Sequence, residues 1–320
     1  MEIDDPHRDL PSSAYSRYAL VLLFAVNLLN YIDRQVLFAV FPLIKADLHL
    51  SDTALGFLGS AFMVSYMASA PVLGWLGDRY SRIRLAACGL SLWSIATAAT
   101  GLAGRYGTLL TSRTVVGIGE ASFGSVSPGL ISDFFAKGER GRVLSFFYLA
   151  IPVGSAVGYI IGGIIGQAFG WHSAFFIVAL PGLALAVPLF FLREPVRGGT
   201  EKGAKLAVPQ PEDYISLFKN RSFVIATLAM AAMTFSLGGL AQWLPTFLYR
   251  MHGQSVASGN TLFGAITVIS GITGTLTGGW LGDRLQRRSG KGYLMISGSG
   301  FLLGRRLRFM PSSLLRSPAV

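Results

Sequence analysis

Gly74-Trp75-Leu76-Gly77-Asp78-Arg79 and Gly279-Trp280-Leu281-Gly282-Asp283-Arg284 are one hexapeptide written twice, 205 residues apart. Each copy closes an apolar stretch of membrane-spanning length and opens onto a basic loop. A period that long is not that of a solenoid or a propeller. It fits two similar multi-helix halves joined in tandem.

Composition agrees with a bilayer protein: 52% of the residues are hydrophobic and 13% charged, with 39 glycines. Apolar stretches run over residues 18–43, 54–76, 85–103, 109–135, 143–169, 174–192, 223–248 and 261–281. Each reaches the roughly 17–25 residues that a spanning helix needs. Glycine and proline within them are tolerated in membrane helices, and glycine lets helices approach closely. A ninth stretch starts near Tyr293 and meets Arg305-Arg306 too soon to span. The fold expected is therefore an all-α, multi-pass membrane protein.

The net charge of +11 is distributed by side rather than clustered for nucleic acid. Eighteen Lys and Arg fall in the N-terminal tail and the even-numbered turns, against three, Lys45, Arg105 and Arg250, on the other side. That asymmetry places the N-terminus in the cytoplasm, and a bacterial inner membrane is the expected location. No basic region and cleavage site precede the first stretch, so no signal peptide is read. The single cysteine, Cys88, lies within a spanning stretch and cannot form an intrachain disulfide.

The repeat also sets boundaries. An N-terminal tail (1–16) precedes a six-helix half (17–192), a Gly-, Lys- and Pro-rich linker (193–221), a partial second half (222–304) and a basic tail (305–320). A complete second half would run roughly a hundred residues further. The chain is thus expected to be C-terminally truncated, with Arg305, Arg306 and Arg308 on the side that the charge rule disfavours.

The Gly-x-x-x-Asp-Arg loop after the second helix of each half, and the long central loop, resemble the major facilitator superfamily. Ser81 and Gln286 stand where that family's loop motif has a second glycine. Three segments resemble its Spinster-like lipid transporters: 29–37 around Asn30-Tyr31-Ile32-Asp33-Arg34, 113–122 around Gly119-Glu120, and 145–154 with Ile151-Pro152-Val153-Gly154. The resemblance implies a major-facilitator-type helical bundle, complete in its first half and carrying the first two to three helices of the second. It implies alternating-access transport of an amphiphilic or anionic organic solute, with possible proton coupling. Organic-anion symporters of the sugar-acid type share two of the segments and stand as the alternative, and an inactive membrane protein is the alternative of another class.

Asp33, Arg34, Arg113 and Glu120 are ionisable groups inside apolar stretches. Insertion scales charge roughly 2.5–3.5 kcal/mol for a central Arg or Asp, so such groups face one another or water. Arg113 and Glu120, seven apart, share a helix face. Asn27, Asn30 and Arg34 form a polar stripe with Tyr31 beside it. Two readings stay open: a cavity in which arginine holds an anion and a carboxylate exchanges a proton, or a static salt-bridge cluster. Burial and a neighbouring arginine act on such a carboxylate in opposite senses.

The loop motif implies a cytoplasmic gate made of Gly74, Asp78, Arg79 and Arg82 in the first copy and Gly279, Asp283 and Arg284 in the second. By the resemblance, Asp78 faces the eleventh helix and Asp283 faces residues 140–144, with Arg142 among them. Asp133 is the alternative partner of Arg79 and Arg82. Gly154, Gly158, Gly162 and Gly166, four apart, read as a packing ridge. The four histidines lie in loops or tails without ligand spacing, and no nucleophile–base set or phosphate-cradling loop is present. Neither a metal nor a cofactor nor an enzymatic activity is expected; the expected partners are the bilayer, a small or lipid-like solute and protons, and the expected state is a monomer.

Overall fold

The computed structural model describes residues 12–198, 216–292 and 294–300. The basic tail after residue 304, most of the linker and the first eleven residues lie outside the described residues. Two compact units divide the chain at Thr267/Val268.

The first unit holds α1 (Ser13–Ala39), α2 (Phe41–Leu48), α3 (Asp52–Arg79), α4 (Arg82–Gly101), α5 (Tyr106–Phe134), α6 (Arg140–Tyr148), α7 (Ala150–Phe169), α8 (Trp171–Phe190), α9 (Arg221–His252) and the start of α10 (Val256–Gln286). No strand occurs among the described residues. Among the described residues, seven spans are long and apolar enough to cross a membrane, α6 and α7 counting together as one. The stretch at 109–135 folds as α5, 29 residues long, which at 1.5 Å per residue also reaches across a bilayer. It is the span that carries Arg113 and Glu120.

Local sequence explains the helix ends and breaks. Ser12, Ser51, Ser81 and Asn220 accept from backbone N–H groups of the first turns of α1, α3, α4 and α9, so each of these helices starts on a capping side chain. Proline makes the interruptions. Pro42 has no N–H to continue α1, and the chain turns at Val40, whose carbonyl takes the N–H groups of Leu43 and Ile44, both at 3.0 Å. Pro152 similarly follows the α6/α7 break at Leu149.

The principal packings are α3 and α4 on α5, α7 on α1, and α8 on α4. The glycine ridge of α7 lies against α1: a Cβ on Gly154 would meet the Leu28 carbonyl at 2.6 Å, and one on Gly158 the Ile32 carbonyl at 2.6 Å. Close backbone approach there admits only glycine. Two apolar clusters form the core. One gathers Leu22, Ile83, Leu130 and Phe134 toward the end that carries the hexapeptide, here the motif end. The other gathers Leu37, Phe41, Leu55 and Phe175 toward the opposite, far end.

The second unit contains the rest of α10, with the second hexapeptide, and a further helical segment over 294–300.

Candidate functional site

The four intramembrane charges form two ion pairs, each joining α1 to α5. Asp33 and Arg34 are consecutive, so they leave α1 about 100° apart. Arg113 and Glu120 lie two turns apart on one face of α5 and receive them separately. Arg113 Nη1 donates to Asp33 Oδ1 at 3.2 Å. Arg34 Nε donates to Glu120 Oε2 at 2.6 Å.

The two pairs differ in surroundings. Asp33 and Arg113 are each 1% exposed. Asp33 has a second donor, since Thr97 Oγ1 on α4 bonds its Oδ2. Both of its oxygens are therefore occupied, and the pair stitches α1, α4 and α5 together. Arg34 is partly open, with 18% of its side chain exposed. Its guanidinium lies 5.0 Å from the Tyr31 ring, 5.1 Å from Phe62 and 5.2 Å from Tyr66, within cation–π range of all three. Glu120 is fully buried, and its Oε1 makes no hydrogen bond among the described residues. The Arg34–Glu120 pair thus keeps an unused acceptor on one partner and unused donors on the other.

Asn27 donates from Nδ2 to the Phe147 carbonyl at 3.1 Å, just before the α6/α7 break, and so ties that break to α1. Asn30 is buried and Tyr31 half-buried. Gln242 and Trp243 sit at the far end: Gln242 Nε2 donates to the Gly56 carbonyl at 3.4 Å, and the Trp243 ring lies 5.7 Å from that of Phe41.

At the motif end, Arg82 is the centre of the charge network. Its Nη1 donates to Asp133 Oδ2 at 2.7 Å and its Nε to Glu194 Oε1 at 3.0 Å. The segment after α8 straps across the loop. Gly198 N donates to Asp133 Oδ1 at 3.1 Å, and Arg197 donates to the backbone carbonyls of Asp78 and Tyr80. Burial pushes the Glu194 carboxyl up, but hydrogen bonds from Ser81 and Arg82 outweigh it and hold the group below its ordinary value. Arg79 does not join this network: its guanidinium stacks 4.0 Å over the Trp75 ring. Asp78 and Arg142 have exposed side chains. Gly74 lies against α5, where a Cβ on it would stand 4.0 Å from the Ser125 Cβ, an ordinary contact.

In the second unit, Gly279, Asp283 and Arg284 lie on α10, and Arg284 covers the Trp280 ring at 5.5 Å. Both hexapeptides thus make the same local Trp–Arg stack.

Thr97, Phe62, Tyr66, Glu194 and Arg197 take part in these sites without having been picked out from the sequence. Thr97 had a faint signal, since Ser94, Thr97 and Thr100 repeat every third residue of an apolar helix. The rings had none, because an aromatic residue in a membrane helix is ordinary.

Comparison with known proteins follows the same lines. The model of the Major Facilitator Superfamily matches residues 23–312. Protein spinster homolog 1 of Bos taurus is 36% identical over 97% of this chain and 62% of its own length. Protein spinster of Drosophila melanogaster is 35% identical over 85% of this chain and 46% of its own length. The chain therefore spans about half to three fifths of the length of these curated relatives. A crystal structure of a bacterial homolog to the human lysosomal transporter Spinster, inward-facing and unoccupied, superposes with a TM-score of 0.77 at 28% identity, covering 87% of this chain and 64% of that one. The D-xylose-proton symporter, at 16% identity and a TM-score of 0.61, shares the fold.

Proposed function

The chain belongs to the major facilitator superfamily, and from that membership we propose that it is a Spinster-like secondary transporter moving an amphiphilic, anionic organic solute by alternating access, coupled to protons. The observation that carries this reading is the Arg34–Glu120 pair. A fully buried carboxylate with one unbonded oxygen is held by an arginine that is itself partly open. An arriving anion competes with Glu120 for the guanidinium, and a proton taken up by Glu120 releases Arg34 to the anion. The rings of Tyr31, Phe62 and Tyr66 beside the cation favour a solute with apolar surface next to its charge.

Asp33, Arg113 and Thr97 then act as the frame that positions α1 against α5. The halves on either side of the linker, 17–192 and 222 onward, are the proposed moving bodies. The charge asymmetry supports a cytoplasmic N-terminus, which makes the motif end cytoplasmic. There Gly74, Asp78, Arg82, Asp133 and Glu194 form the proposed gate on the first-half side, with Asp283 and Arg284 its counterparts in the repeat.

The test is uptake by the chain in proteoliposomes under an imposed pH gradient. Glu120→Gln is expected to abolish gradient-driven uptake, and proton-dependent uptake unchanged in that variant would refute the coupling. Competition by a lysophospholipid supports the amphiphile, whereas competition by a sugar acid alone moves the reading to an organic-anion symporter. No uptake by the unaltered chain supports an inactive membrane protein instead.

A further inference from the structure

Three rings stand around the Arg34 guanidinium, and each is fixed in a different way. Tyr31 precedes Arg34 on α1 by three residues, so it travels with the cation. Phe62 is 4% exposed, and the backbone that carries it is pressed onto α5: a Cβ on Gly117 would fall on the Phe62 carbonyl and the Ser65 hydroxyl. Tyr66, one turn further along α3, is half-buried and has neither support. Its ring lies 5.2 Å from the guanidinium and 6.0 Å from the Phe62 ring.

A second notch in α5 takes Tyr66. Gly117 and Gly124 stand three residues before and four after Glu120, on the side of the helix that carries the carboxylate. A Cβ on Gly124 would fall on the Tyr66 hydroxyl oxygen, and the next atoms it would meet belong to the same ring, Cζ at 3.3 Å and Cε2 at 3.8 Å. At Gly117 a backbone carbonyl needs the space, whereas at Gly124 a single oxygen at the end of a side chain does. That oxygen makes no hydrogen bond among the described residues, so shape alone seats it.

We propose that Gly124 is a positioning residue for the solute site: its missing side chain seats the Tyr66 hydroxyl in α5 and holds the Tyr66 ring beside Arg34, where the ring selects for apolar surface next to the solute's anionic group. The inference rests on the transporter reading given above.

An alanine methyl at 124 evicts the hydroxyl. Because Tyr66 is half-buried, its ring can swing away, so the eviction displaces the ring and leaves the helix where it is. Arg34 keeps Glu120 and its two other rings. The charge that receives the anion is therefore retained, and what the solute loses is one wall of apolar contact. Affinity falls while the proton-linked step is spared. A phenylalanine at 66 stops short of the notch, and with the hydroxyl gone the methyl meets only ring carbon, at 3.3 Å, which a half-buried ring relieves by a small shift.

The test is a two-residue cycle: the parent, Gly124→Ala, Tyr66→Phe and the double variant, in proteoliposomes taking up a radiolabelled lysophospholipid. Gly124→Ala is expected to raise KM about two- to five-fold, the range of one partly exposed cation–π neighbour, with the maximal rate held. In the Tyr66→Phe background the same substitution is expected to leave KM within about twofold of Tyr66→Phe alone. A second readout needs no transport: modification of Arg34 by phenylglyoxal in micelles, followed peptide by peptide by mass spectrometry. Gly124→Ala should speed it about twofold or more, and should not do so in the Tyr66→Phe background. Loss of the Gly124→Ala effect in that background, in both readouts, supports the notch. An equal effect in both backgrounds, or none in either, overturns it. Should Gly124→Ala alone aggregate, Tyr66→Leu takes its place in both measurements and is compared with Tyr66→Phe. Aggregation in both backgrounds overturns the proposal, since the clash would then lie with the helix and not with the hydroxyl. Absent uptake by the parent refutes the transporter reading, and the labelling still decides whether Gly124 seats the ring.

Discussion

Asp33→Asn and Glu120→Gln each remove one carboxylate charge from the α1–α5 contact, and the structure assigns them very different costs. Asp33 faces Arg113 where both are 1% exposed. Neutralising it strands a guanidinium in a dry interior, which typically costs roughly 3–5 kcal/mol. The amide oxygen can still accept from Thr97, so the loss belongs at the lower end of that range. Glu120→Gln leaves Arg34 with three aromatic rings within 5.2 Å and a partly open side chain. Partners of that kind are each worth about 0.5–2 kcal/mol, so the expected cost is about 1–2 kcal/mol. Equilibrium unfolding in mixed micelles, followed by helical circular dichroism, measures both. Asp33→Asn is expected to lose about twice the stability of Glu120→Gln or more. Removing both partners in Asp33→Asn/Arg113→Gln should recover part of the loss, since an absent pair is cheaper than a broken one. Equal stability of Asp33→Asn and the parent, with Glu120→Gln the weaker protein, would refute the division into a framing pair and a working pair.

Two further outcomes follow from the packing and from the strap. Gly158→Leu places a side chain where even a Cβ meets the Ile32 carbonyl at 2.6 Å, so it is expected to cost upwards of about 3 kcal/mol by the same unfolding measurement, while Gly138→Leu, with open space around it, should cost little. Glu194 is held below its ordinary value, so its contribution to docking the strap is complete above the usual glutamate range and is lost as pH falls through the lowered value. Hydrogen exchange over residues 193–198, corrected for intrinsic rates, should therefore stay slow from neutrality down to about pH 4.5 and quicken below it, with Glu194→Gln quick throughout. Slow exchange in Glu194→Gln at neutral pH would show that the carboxylate does not hold the strap.

The fold was legible largely because bilayer physics leaves few options. Apolar length gives helices, the doubled hexapeptide gives two halves, and glycines spaced by four on α7 gave a ridge that does lie on α1. The charged residues of the α1–α5 contact were legible for a related reason, that charge in an apolar stretch is costly and needs a partner. Their pairing was not. Nothing in one dimension says that Asp33 meets Arg113 rather than its neighbour Arg34, or that Arg82 rather than Arg79 reaches Asp133. Pairing depends on helix rotation, which is set by apolar contacts spread over two clusters. Glu194 and Arg197 escaped notice because a charged residue in a linker is the commonest thing a linker holds, and only the fold brings these two across the motif loop.

Why α1 should carry two opposite charges side by side follows from that rotation. Two consecutive residues on a helix leave it about 100° apart, so one can be buried in the frame while the other faces the opening. Had the acid and the base been four residues apart, they would share a face and could neutralise each other within α1, leaving α5 nothing to bind. Adjacent placement forbids that and sends both charges to α5. Arg113 and Glu120, two turns apart, can take one each without competing. The pair whose carboxylate has both oxygens taken then fixes the register at which the second pair must meet. A proton or an anion that disturbs Arg34–Glu120 acts on a contact whose geometry Asp33, Thr97 and Arg113 have already set, and the disturbance is delivered to the α1–α5 interface instead of being absorbed by a turn of α1.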